Sequence, residues 1–204
     1  MEDKIKIIKG YVPDPSIPVL SKYFSQWNVN LFISRNRITK NGDFRLLCKG
    51  IHQISVNGSL NPFRFLITLV HEIAHLVAFE NFGLYIKPHG KEWKKCYQKL
   101  MFPLLNTKVF PIGLLFLLLK HFKNPMASTD GDFNLVIELD KFDFQKEKSY
   151  IFEFKEGTKF EIPNGKRFIL GLRRRKRYEC EEILTGKKYL FSAHAKVKKI
   201  EKDG

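Results

Sequence analysis

Asn61-Pro62-Phe63-Arg64-Phe65-Leu66-Ile67-Thr68-Leu69-Val70-His71-Glu72-Ile73-Ala74-His75-Leu76-Val77-Ala78-Phe79-Glu80-Asn81-Phe82-Gly83 is the stretch on which the reading of this chain turns. Asn61 is a good N-cap, Pro62 suits the first helical position and Gly83 is a terminator, so the stretch predicts a helix from Phe63 to Glu80. Its side chains are apolar nearly all round, which marks a helix buried in a core rather than one lying on a surface. His71 and His75, four residues apart, share one face about one turn apart, where two imidazoles can reach a single ion. Burying both histidines and Glu72 without partners would cost several kcal/mol, and a metal removes that difficulty.

His71-Glu72-Ile73-Ala74-His75 is an H-E-x-x-H pattern. A catalytic zinc takes three protein ligands, nitrogen donors at roughly 2.0–2.1 Å, and keeps a fourth position for water. Glu72, beside the first histidine, is placed to take a proton from that water as general base, so the pattern predicts a zinc metallopeptidase. The third ligand should come from beyond the helix. His89 is the best candidate: it follows the Gly83 break and Pro88, and it opens a second helical pattern, His89-Gly90-Lys91-Glu92-Trp93. Gly90 is expected to let the backbone approach the metal. Glu80 and Glu92 are the alternative third ligands, because zinc also accepts a carboxylate. His52, His121 and His194 read as ordinary histidines. The longer metzincin pattern is absent, since position 78 is Ala and position 81 is Asn.

His71-Glu72-Ile73-Ala74-His75 followed by His89-Gly90-Lys91-Glu92-Trp93 resembles the SprT-like zinc metallopeptidase family, whose pattern is H-E-x-x-H and then H-G-x-x-[FW]. Asn41-Gly42-Asp43-Phe44-Arg45, Ile54-Ser55-Val56-Asn57 and Leu60-Asn61-Pro62 are similar to that domain's strands and helix entry, so the resemblance covers roughly residues 10–120. It implies an α+β fold: a small zincin-like protease domain with the motif helix in its core and helices packed on a short sheet. It also implies zinc on His71, His75 and His89, with Glu72 as base. In the Spartan-like branch the substrates are proteins crosslinked to DNA. Many members carry a C-terminal zinc ribbon; this chain has no C-x-x-C, and Cys180 with His194 is too small a set for a tetrahedral site.

Composition agrees with a packed core: 204 residues, 44% of them hydrophobic. Cys48, Cys96 and Cys180 make no disulfide framework, which suits a reducing cytoplasm, and no secretory signal opens the chain. The run Val109 to Leu119 is too short for a membrane span and reads as a buried helix. A net charge of +15 favours polyanionic partners, nucleic acid before anionic membrane. The sharpest cluster is Arg173, Arg174, Arg175, Lys176 and Arg177, with Phe168 and Tyr178 as stacking groups for single-stranded DNA.

Punctuation divides the chain into a protease domain over 1–122, a connector over 123–149 and a basic β module over 150–204. Ser16 to Trp27 reads as a helix, and Val29 to Ser34 and Ile51 to Val56 as strands. Asn41-Gly42, within Thr39 to Asp43, signals a hairpin returning through Phe44 to Cys48. The connector has four basic and six acidic residues and is expected to contribute strand around Leu135 to Leu139. In the last segment Ile151–Phe154, Lys159–Ile162, Arg167–Leu170, Arg177–Cys180 and Lys188–Phe191 predict a small antiparallel sheet or barrel packed on Phe152, Phe160, Phe168, Tyr178 and Phe191. Two functions from different classes follow. One is a zinc endopeptidase acting on protein or peptide, with DNA-associated proteins among its substrates. The alternative is a nucleic-acid-binding protein with a structural or vestigial zinc site.

Overall fold

The computed structural model describes residues 2–35, 37, 40–48, 50–143, 149–175 and 177–200, in two compact units, Met1–Asp143 and Phe144–Gly204. The first unit runs α1 (Glu2–Ile8), α2 (Ile17–Gln26), β1 (Val29–Ser34), β2 (Gly42–Cys48), β3 (Ile51–Asn57), α3 (Pro62–Phe82), α4 (Lys91–Met101), α5 (Ile112–His121) and α6 (Phe133–Asp140). Helix α3 is capped as its sequence dictates: the Asn61 side chain accepts from the Arg64 amide at 2.9 Å, and Gly83, at φ +74°, ends it. It is the one described helix long and apolar enough to cross a membrane, but its apolar side chains are spent in the core of the unit.

The sheet order is β1-β3-β2, with β3 parallel to β1 and antiparallel to β2. Asn41-Gly42 therefore does not join two paired strands; β2 turns into β3 near Gly50, and Thr39 lies outside the described residues. The reason is burial. Strand β3 hides His52 and every residue from Ile54 to Val56 and Asn57, so it takes the centre, and β1 and β2 flank it as edges.

Beyond α4 the structure departs further from expectation. Residues 133–140 are a helix and not a strand: Asp132 caps it by accepting from the Leu135 amide, and Leu135 and Leu139, one turn apart, are its buried side chains. Helix α6 is tied back to the start of α3. Asn61 donates to the Leu139 carbonyl at 2.9 Å and to Asp143 at 2.6 Å, and Arg64 pairs with Asp140 at 2.7 Å. Helix α5 is buried on one face only, through Leu114, Leu115 and Leu118, whereas Ile112, Phe116 and Leu119 face solvent.

The second unit is a six-stranded antiparallel sheet, order β4-β9-β5-β6-β7-β8, made by Ser149–Tyr150, Lys159–Glu161, Arg167–Arg174, Arg177–Glu182, Lys188–Ser192 and Lys196–Lys199 for β4 to β9. Ile151–Glu153 forms a single helical turn rather than a strand, which leaves Phe152 outside the small core of Ile151, Phe160, Phe168, Leu170, Cys180 and Val197. Phe191 and Tyr178 pack against that core from its margin. Strand β9 gave little sequence signal because Val197 is its one buried side chain. Glu182, buried, is satisfied by Lys166, Thr185 and Tyr189.

Asn61→Ala removes a helix cap and two ties to α6 at once. We expect a loss of about 2–4 kcal/mol from the sum of a cap and two buried hydrogen bonds, read as a lower urea midpoint. A loss below about 0.5 kcal/mol would contradict the clamp.

Candidate metal centre

Helix α3 places His71 and His75 on one face, and the chain returns from Gly83 to bring His89 opposite them. The return is a tight turn, Lys87-Pro88-His89-Gly90, closed by the Gly90 amide on the Lys87 carbonyl at 2.8 Å. Pro88 holds the second position of the turn, and His89 takes the third with φ +57°. That left-handed conformation is what a type II turn demands there, although glycine is its usual occupant. A strained histidine held in such a turn is a mark of function, because the backbone conformation aims the ring. Gly90 serves the turn rather than the metal: a Cβ there would meet the Lys87 carbonyl oxygen at 2.8 Å.

The three Nε2 atoms converge. His71 and His75 are 3.1 Å apart, His75 and His89 3.0 Å, and His89 and His71 3.2 Å. Tetrahedral ligands with nitrogens at roughly 2.0–2.1 Å from an ion stand about 3.3–3.4 Å from each other, so the spacing fits a metal. Burial pushes His71 down to about 3 and His75 to about 4, the neighbouring histidines adding to it; burial also lowers His89. All three are thus neutral donors near neutral pH, the form a metal requires. Trp93, fully buried on α4, packs its ring against all three imidazoles at centroid distances of 4.7, 5.2 and 4.6 Å. Tyr97 stands beside it, its ring 5.4 Å from His71 and its hydroxyl donating to the Ile67 carbonyl.

A cleft of about 520 Å³ opens over the triad. Its walls are Lys40 to Phe44 at the start of β2, Thr68 and Glu72 on α3, and Ala127 to Thr129 between α5 and α6. Glu72 is 7% exposed, and burial raises its carboxyl to about 8, helped by Asp43 and opposed by Lys40 and Arg37. Asp43 itself is held low by hydrogen bonds to Lys40 and Arg45 against the opposing effect of burial. Gly42 finds its purpose here: a Cβ would come within 2.4 Å of Glu72 Oε1, so only glycine lets β2 pass that close.

The remaining histidines and acids take other partners. His52 pairs with Glu80 at 2.9 Å, His121 with Asp132 at 3.1 Å, and His194 packs near Phe152 in the second unit. Glu80 is thereby committed elsewhere, and among the described residues the group able to share one ion is His71, His75 and His89, without Glu92. Of the basic cluster, Arg173, Arg174, Arg175 and Arg177 occupy the exposed end of the β6–β7 hairpin, with Arg175 at φ +52°; Lys176 lies outside the described residues. Phe168 is 2% exposed and cannot stack on a base, and Tyr178 lies beneath the Arg173 guanidinium. Sequence reading gives Gly42, Asp43, Tyr97 and the 127–129 wall no place in the site; Asn41-Gly42 carries a turn signal, not a packing one.

Comparison with known proteins bears on residues 22–111, a segment that spans β1 to α4 and holds every residue of the triad. Neither the curated proteins nor the solved structures yielded a match. Over residues 22–111 the chain is similar to the SprT-like family, whose model matches that segment.

Proposed function

We propose that the first unit is a zinc-dependent endopeptidase of zincin-like architecture. The observation that carries this reading is the convergence of three neutral Nε2 donors in a cleft that also presents Glu72. Zinc held by His71, His75 and His89 would supply Lewis acidity toward a scissile carbonyl and lower the pKa of a water. Glu72 would take a proton from a water in the cleft and pass it to the leaving amine. In the metal-free chain burial favours the protonated carboxyl near neutral pH, the form reached after the first transfer; Lys40 and Arg37 oppose it, and a cation bound beside Glu72 would favour the carboxylate that precedes it. Donors for the developing oxyanion would have to come from the polar cleft wall, where Ser128 and Thr129 stand, since the Tyr97 hydroxyl is spent on the Ile67 carbonyl. The free buried cysteines Cys96 and Cys180 accord with a reducing, cytoplasmic setting.

A second reading keeps the metal as structural or vestigial and makes nucleic acid the partner, through the hairpin end of the second unit. Exposure of Arg173, Arg174, Arg175 and Arg177 at one end favours it. Internal compensation weakens it: Glu179 pairs with both Arg174 and Lys188, and Arg173 is engaged by Tyr178. A purely structural zinc also prefers four protein ligands and needs no buried glutamate beside it.

Purified protein should carry one zinc per chain, and alanine at His71, His75 or His89 should remove most of it. Glu72→Gln should retain zinc while protein hydrolysis falls by at least about a hundredfold, the scale of general-base catalysis. Equal cleavage of a casein substrate by wild type and Glu72→Gln would sink the mechanism, and zinc retained in full by His89→Ala would displace His89 as third ligand.

The metal-free chain should also be acid-sensitive in a defined window. Unfolded histidine titrates near about 6.5, whereas the folded chain holds His71 and His75 neutral down to about 3 and about 4. Between those limits the unfolded state binds more protons, so stability rises with pH up to about 6.5 and is flat, for these groups, above it. Thermal melts of chelated protein should show this slope, and His71→Phe should reduce it; an unchanged slope in that variant would contradict the assignment.

A further inference from the structure

Helix α5 leaves apolar surface in water at positions where a surface helix ordinarily carries polar side chains. Ile112, Phe116 and Leu119, 80%, 71% and 49% exposed, follow one another at spacings of four and three residues. They therefore share one face, a stripe about 10 Å long. The core is served by other side chains of the helix, Leu114, Leu115 and Leu118, so packing of the unit does not account for the exposed three. A lone exposed apolar side chain is ordinary, whereas a contiguous stripe with a polar rim marks an interaction site. The rim here is basic. Lys108 precedes the helix, Lys120 lies in its last turn and Lys123 follows it, all of them exposed. Ion pairs among the described residues engage Lys40, Lys141, Lys166 and Lys188, but none of these three. The helix itself has no carboxylate; beside it, Glu138, which faces Gly113, pairs with Lys141, and Asp132 pairs with His121.

We infer that this face of α5 is an anchor for an anionic lipid bilayer, with Ile112, Phe116 and Leu119 seated at the boundary between headgroups and acyl chains. The helix has 10 residues, too few to span a bilayer, so it lies along the surface instead. There an apolar face sinks about 5–10 Å. Lys108, Lys120 and Lys123 extend their ammonium groups to the headgroups while their stems stay against the apolar stripe, and each adds attraction to anionic lipid. Neither alternative occupant uses both features. The phosphate backbone of a nucleic acid would engage the lysines and leave the stripe in water. A second copy of the chain would set basic rim against basic rim, and three side chains fall far short of the roughly 800 Å² per partner that a stable interface buries. Anchoring is independent of the metal and of the peptidase reading.

The test sediments the full-length chain with vesicles of phosphatidylglycerol mixed into phosphatidylcholine, and with phosphatidylcholine alone. Binding is expected to the mixed vesicles and to be much weaker to the neutral ones. Ile112→Ser combined with Phe116→Ser should weaken it by at least about tenfold for each side chain withdrawn from the bilayer. Replacing Lys108, Lys120 and Lys123 by Gln should cost about fivefold per lysine. Phe116→Trp separates insertion from adsorption. Over the emission of Trp27 and Trp93 in the parent, it should add a component that shifts blue on vesicles and is quenched by lipid brominated in its acyl chains. Circular dichroism should match the parent for every variant, because all the substituted side chains are exposed. Three results overturn the inference: no sedimentation with the mixed vesicles at low salt, a double serine variant that binds as the parent does, or a Phe116→Trp emission unmoved by vesicles that the chain binds. Dimerisation in sedimentation velocity that Phe116→Ser abolishes, without vesicle binding, would also overturn it, in favour of a second copy.

Discussion

Three imidazole nitrogens stand within 3.2 Å of one another, an arrangement that a cation shared among them would make favourable. Much of the first unit follows from this constraint. Helix α3 must be long and buried enough to hold two of the rings rigidly, which is why its apolar residues run almost all round it. The chain must reverse within a few residues to deliver the third ring, and Pro88, a left-handed His89 and Gly90 accomplish that. Trp93 and Tyr97 then fill the space behind the rings, so the rotamers that aim the nitrogens are fixed by packing.

The same constraint shapes the sheet. Strand β2 runs close enough to α3 that Gly42 meets the Glu72 carboxyl, bringing Asp43, Lys40 and Arg37 near a buried acid. Opposite it, the wall at Ala127–Thr129 depends on α6, and α6 depends on Asn61 and Arg64 at the start of the motif helix. Both walls of the cleft therefore refer back to one helix.

How much of this was legible varies with the physics of each element. The motif helix could be read because cap, terminator and burial pattern agree, and the third histidine because Pro-His-Gly is turn chemistry at a place where a third ligand was needed. Strand pairing was not legible: Asn41-Gly42 is the usual residue pair of a hairpin, and nothing local says that its glycine answers a side chain thirty residues away. Residues 133–140 were misread because Leu135, Val136, Ile137 and Leu139 are apolar in a short run that suits strand or helix equally, and the deciding cap, Asp132, resembles any loop aspartate. In the second unit, Phe152 and Phe168 look alike in sequence, yet one is exposed and the other buried, because a helical turn interrupts the first.

An open three-histidine site is tested most directly by X-ray absorption at the zinc edge of the purified protein. The prediction is a first shell of nitrogen and oxygen alone at roughly 2.0–2.1 Å, with multiple-scattering features from three imidazoles. A sulfur shell at about 2.3 Å, or a fourth imidazole closing the site, would contradict it.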